Sequence, residues 1–121
     1  MGWTFSTERP VYVQLVQRIR ADILSGHYPA GSPFPSVRQI ALAAAVNPNT
    51  MQRALGELER EGLLISRGTA GRVVTDDEAV LRAARQRAAQ EALERLVAEA
   101  RALGVSRAEI LRFLEEKEEW T

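Results

Sequence analysis

The 121-residue sequence predicts a mainly α-helical chain carrying one small β-hairpin, and three observations predict it. Apolar residues recur at three- and four-residue spacing along most of the chain, the period of a buried helix face. Capping residues and glycines punctuate these stretches where helices should start and stop. Two short apolar runs, at 63–66 and 72–75, flank the tip Arg67-Gly68-Thr69-Ala70-Gly71, which is the pattern of a hairpin.

The first helix opens at Pro10, presents Val11, Leu15, Ile19 and Ile23 on one face, and ends at Ser25-Gly26, where glycine supplies a left-handed cap. The stretch HYPAGSPFP follows; three prolines and a glycine make it a stiff connection. Ser36 caps the second helix, with Gln39 three residues on closing a capping box. Val37, Ile40 and Ala41 face the core there, and Arg38 and Gln39 do not. The third helix is expected from about Pro48 to Glu61, with Asn47 as N-cap and Pro48 at the first position, where a missing N–H costs nothing. Met51, Ala54, Leu55 and Leu58 form its buried stripe. Asn49, Arg53, Gly56 and Arg60 fall on the opposite side and Gln52 on a flank.

Gly62 stops the third helix before the hairpin. Asp76 or Asp77 then caps a long helix reaching Leu103, Gly104 ends it, and Ser106 with Glu109 forms a second capping box for a last, short helix. The whole reads as two parts: residues 1–75, a winged helix-turn-helix, and residues 76–121, a helical hairpin. Leu81, Ala84, Ala88, Leu96 and Leu103 on the long helix, with Leu111 and Leu114 on the short one, belong to apolar seams. Two helices cannot bury both seams alone, so a second copy of the chain is the expected cover and these residues are the expected dimer contacts; the alternative is that the hairpin folds back on its own winged unit.

The net charge is zero, but it divides unevenly. Residues 1–75 hold eight arginines against five acids, a local charge of +3, and residues 76–121 carry −3. A basic front and an acidic back expect only the front to meet a polyanion. The excess is small, which expects moderate affinity per subunit and useful binding from a pair. With no cysteine, disulfide and thiol chemistry are excluded, and with no secretion-type start or membrane-length apolar run the cytoplasm is the expected compartment. His27 is the single histidine and lies in a loop, too poor a set for a metal site. Asp76, Asp77 and Glu78 are explained by an acidic first helical turn. No nucleophile–base pair, phosphate-binding loop or metal constellation is present, so neither enzymatic activity nor a cofactor is expected.

Residues 34–74 concentrate the function. A helix beginning Asn47-Pro48-Asn49-Thr50 presents backbone N–H groups and the positive end of its dipole, a fit for phosphate. In a winged helix-turn-helix that helix lies in a DNA groove. Pro10-Val11-Tyr12, Ser25-Gly26 with Pro29 and Gly31, Pro35-Ser36-Val37-Arg38, Val46-Asn47-Pro48-Asn49-Thr50, and Leu58 with Glu61-Gly62-Leu63 closely resemble, in this order, the GntR family of bacterial transcription regulators. The resemblance covers about half the chain, and the Asn-Pro-Asn-Thr turn with a short helical tail resembles its YtrA subfamily. It implies a homodimeric repressor on a palindromic double-stranded DNA operator, in a branch whose genes often accompany ABC transporters.

Carried over by this resemblance, the DNA contacts are Arg38 on the second helix, Asn47, Asn49, Thr50, Gln52 and Arg53 on the recognition helix, and Arg67 with Gly68 at the wing tip. The chemistry suits them: arginine can grip guanine O6 and N7, and glutamine adenine N6 and N7. Pro48 stands where another branch of the family carries a base-reading arginine. Gly56 replaces a larger polar residue, and Gln52 often corresponds to arginine, so the operator should differ. Arg53 and Arg60 can also be read as ordinary solvated charges pairing with Glu57 and Glu61, and for Arg60 that reading is preferred to a DNA contact. The tail is too short to enclose a small-molecule pocket, which leaves the dimer interface as the place for an unidentified effector. A winged-helix adaptor that binds protein instead of DNA is the alternative, since a fold does not fix a function.

Overall fold

The computed structural model describes residues 2–119 and divides into two compact units at Ala84/Arg85. In the first unit, α1 (Val11–Leu24), α2 (Val37–Ala44) and α3 (Pro48–Arg60) precede a two-stranded antiparallel hairpin of β1 (Leu64–Ser66) and β2 (Arg72–Val74). The register pairs Leu64 with Val74 and Ser66 with Arg72. The fold is mainly helical with one small sheet, as the period and the punctuation require.

The core forms where the helical stripes converge. Leu15, Ile19, Met51, Leu55, Leu58 and Leu63 are fully buried, and α1 and α2 both pack on α3. Gln14 is buried beside them, and its amide is fully used. Its Oε1 accepts from the Ser6 N–H at 2.8 Å, and its Nε2 donates to the carbonyls of Ser6 and Arg9 at 2.8 and 2.9 Å. These bonds fasten the N-terminal segment that lays Trp3 and Phe5 on the core.

The local signals act through their expected partners. Ser36 accepts from the Gln39 N–H at 3.1 Å while Gln39 Oε1 accepts from the Ser36 N–H at 3.0 Å, a complete capping box. Between α2 and α3 the chain turns through Ala45, which is left-handed at φ 56°, and Val46 N–H donates back to the Ala41 carbonyl at 3.0 Å. The stiff loop does more than connect. Its Phe34 N–H donates to Arg72 O at 2.8 Å, and Ser32 O accepts from Val74 N–H at 2.9 Å, so residues 32–34 run beside β2 as a further extended segment.

Helix α4 (Glu78–Ala102) is capped by Asp77, whose Oδ1 accepts from the N–H groups of Ala79 at 3.0 Å and Val80 at 3.3 Å. Its start belongs to the first unit and corrects the expectation for two residues. Leu81 and Ala84, expected from the seam to be dimer contacts, are 5% and 2% exposed within the core of the winged unit. A side chain already enclosed by its own chain has no surface left for a partner.

The second unit holds the rest of α4 and α5 (Arg107–Glu116), whose Ser106–Glu109 capping box is complete. An apolar cleft of about 520 Å³ lies between these two helices, lined by Leu96, Ala100, Leu103, Val105, Ile110, Phe113 and Leu114. Among the described residues of this unit, Ala100 alone is buried.

Gly56 sits inside α3, and a methyl group placed there would meet nothing closer than Arg60 Nη1 at 4.0 Å. Gly56→Ala is therefore expected to raise stability by about 0.5–1 kcal/mol, because alanine loses less backbone entropy in a helix and meets no clash. Urea denaturation followed by circular dichroism checks this; a lower midpoint would show a close approach at that face.

Candidate nucleic-acid interface

Helix α3 begins with a locked turn. Asn47 Oδ1 accepts from the Asn49 N–H at 2.7 Å, Pro48 has no N–H, and Met51 N–H donates to Asn47 O at 3.1 Å. A helix start of this kind is expected to present several N–H groups. The cap consumes one of them and proline removes another, leaving the Thr50 N–H as the first-turn donor without an acceptor among the described residues. Asn47, Asn49, Gln52 and Arg53 are exposed, and Thr50 is half-buried at the edge of the stripe.

Charge pairing sorts the arginines around this helix. The three acids at its C-terminal end are each held: Glu57 by Arg60, Glu59 by Arg72, and Glu61 by Arg20 through two bonds of 2.6 and 2.8 Å. The expected Arg60–Glu57 pair is present. Glu61 takes Arg20 from α1 in place of Arg60, a long-range choice that spacing along α3 does not reveal. Arg38 on α2, Arg53 on α3 and Arg67 at the wing make no ion pair among the described residues, and all three are exposed. Acids that would repel a polyanion are thus neutralised, while three cations keep their donors.

The wing tip is a single 3-10 turn, Gly68–Ala70, closed by the Arg67 N–H donating to the Gly71 carbonyl at 2.7 Å. Gly68 and Gly71 both take positive φ, 62° and 86°, which a side chain would strain, and the space around the Gly68 Cα is open. The turn leaves Arg67 and Gly68 exposed at the extremity of the hairpin. Tyr12 carries no signal in its spacing that would mark it for this site. It lies one residue round from the core stripe of α1, half-buried, with the Arg53 guanidinium carbon 3.6 Å from its ring centre. Only the packing of α1 on α3 brings the two together.

Residues 11–74 match the model of the gntR family of bacterial regulatory proteins. The chain belongs to this family. Within the GntR family it falls in the YtrA-like branch. It is 32% identical to the HTH-type transcriptional repressor YtrA of Bacillus subtilis, an alignment covering 92% of this chain and 81% of that protein. A GntR family transcriptional regulator from Listeria monocytogenes is 33% identical and superposes with a TM-score of 0.83, covering 94% of this chain and all of that one. The structure of AraR(DBD) in complex with operator ORE1 matches 62% of this chain and 94% of its own at 25% identity and a TM-score of 0.53. The chain is a GntR-type transcription regulator and not an enzyme. Among the described residues, no helix is long and apolar enough to cross a membrane.

Proposed function

We propose that this GntR-family chain is a homodimeric repressor that binds a palindromic operator. Helix α3 of each copy enters a major groove and each wing reaches the flanking minor groove. The observation that carries the reading is the sorting of charge around α3: Glu57, Glu59 and Glu61 are neutralised while Arg38, Arg53 and Arg67 keep their donors. Asn49, Thr50 and Gln52 add polar contacts at the start of the recognition helix, with Gly68 allowing the wing backbone a close approach. The operator-bound AraR domain supports DNA as the partner, and the repressor YtrA supports the sign of regulation.

Dimerisation through the helical tail is supported by what that unit leaves bare. Leu93, Leu96, Val97, Leu103, Leu111, Phe113 and Leu114 are all exposed, far more apolar surface than scattered single residues would give. Ala88 is half-buried on the same helix. An unidentified small-molecule effector would find its site at the interface these residues make. Two measurements test the proposal. Duplexes selected by the protein from a randomised pool should converge on an inverted repeat, and light scattering at micromolar concentration should give twice the 13.4 kDa chain mass. A pool that never converges sinks the DNA reading, and a monomeric mass sinks the dimer.

A further inference from the structure

The stack of Arg53 on Tyr12 carries an inference that rests on the DNA-binding reading and deepens it. The Arg53 guanidinium carbon is 3.6 Å from the Tyr12 ring centre. That is a stacking distance, and an edge-on cation would interpose an N–H and hold its carbon farther away. The guanidinium is therefore face-on, attracted by the negative face of the ring. In this pose the ring engages the flat face and leaves the N–H donors, which lie in the plane, directed outward.

Five other arginines of the first unit spend donors on protein acceptors. Arg18 also lies over an aromatic ring, Trp3, at 4.4 Å, but its Nε donates to Asp22 at 3.2 Å. Arg60, Arg72 and Arg20 are bound to glutamates, and Arg9 donates to Gln17 Oε1 at 2.6 Å. Arg53 is oriented by a ring and has no carboxylate or hydrogen-bond acceptor among the described residues. A long exposed side chain ordinarily loses rotamer freedom when it grips a ligand. Stacking removes part of that freedom beforehand, which is how preorganisation raises affinity.

We propose that Tyr12, outside the helix-turn-helix pair, is a positioning residue for DNA recognition. Its ring holds the Arg53 guanidinium so that two in-plane donors meet a pair of DNA acceptors. Those acceptors are either guanine O6 and N7 or two phosphate oxygens, and both present the same bidentate demand.

The test uses the full chain and a duplex selected from a randomised pool by the wild-type protein, with a scrambled duplex beside it. Tyr12→Phe keeps the ring and should bind within about two-fold of wild type. Tyr12→Leu keeps apolar bulk but no ring and should weaken binding about 3- to 10-fold, the scale of a lost cation–π contact. Arg53→Ala should weaken it about 10-fold or more. Adding Tyr12→Leu to Arg53→Ala should then cost nothing further, because the ring acts only through the arginine. A loss confined to the selected duplex assigns the acceptors to a base edge, and an equal loss on both duplexes assigns them to phosphate; either supports the positioning role.

An equal cost of Tyr12→Leu with and without Arg53 would show a merely structural role and overturn the inference, as would wild-type binding by Tyr12→Leu. A direct reading comes from proton NMR of the unbound chain, which is independent of how the variants fold. The Arg53 Hδ protons should be shifted upfield by the ring current in wild type, and an unshifted signal overturns the stack. Failure of the wild-type chain to select any sequence would sink the DNA-binding reading and this inference with it. Selection by wild type with an uncoupled Tyr12→Leu sinks this inference alone.

Discussion

Leu81→Ala is expected to destabilise the winged unit by about 2–5 kcal/mol, the cost of a cavity in a closed core. Leu81 lies near the start of the long C-terminal helix, in a stretch whose sequence blends with the tail. Its side chain nevertheless packs into the core of the first unit at 5% exposure. Leu111 is chemically identical and lies on α5 at 46% exposure. Leu111→Ala removes much less enclosed surface and is expected to change the unit's own stability by less than about 1 kcal/mol, acting instead on association. Urea titrations of both variants over a range of protein concentrations, read by circular dichroism, separate the two roles, because only an association defect makes the midpoint shift depend on concentration. Equal effects would mean that both leucines serve the same interface.

The double variant Arg38→Ala with Arg67→Ala is expected to lose about 100-fold or more in affinity for the selected duplex. Each arginine is exposed and unpaired among the described residues, so its removal takes charge from the interface without leaving a buried acid behind. Each phosphate neutralised contributes about 0.9 to the slope of log affinity against log salt, so the double variant should flatten that slope by close to two if both touch phosphate. If Arg38 reads a base instead, the slope changes by about one and discrimination against scrambled DNA falls as well. Fluorescence anisotropy across a salt series measures both quantities. Unchanged affinity with an intact melting transition would remove these two residues from the interface and leave the adaptor alternative standing.

How far the sequence discloses the fold depends on the range of each determinant. Ser36 with Gln39, Asn47 with Pro48, and Ser106 with Glu109 act within three residues of themselves, and each cap forms as its spacing requires. Apolar stripes on α1 and α3 are equally plain, because a helix face is a local property. A stripe says that a face is buried but not against what. That is why Leu81 and Ala84 read as part of one seam with Leu96 and Leu103, while the first pair is enclosed in the winged core. Gln14 reads as an ordinary polar residue until the carbonyls of Ser6 and Arg9 converge on it. The left-handed Ala45 gives no signal, since glycine or asparagine would normally mark such a turn. At the candidate site, the exposed residues are legible from helical phase. The neutralisation of Glu59 and Glu61 and the ring beneath Arg53 depend on partners 13, 41 and 41 positions away.

The segment at 32–34 has a consequence for how the wing meets other molecules. An antiparallel hairpin ordinarily offers its outer strand as a template for a stranger's backbone, the route to edge-to-edge aggregation. Here Phe34 directs its N–H inward, to Arg72. In extended chain the neighbouring N–H groups would face the other way, and at those positions the chain carries Pro33 and Pro35, which have none. The flank beyond β2 thereby lacks N–H donors at two outward positions by covalent structure alone. A pairing strand would find half of its ladder missing along this side of the wing, while the tip at Gly68–Ala70 stays exposed.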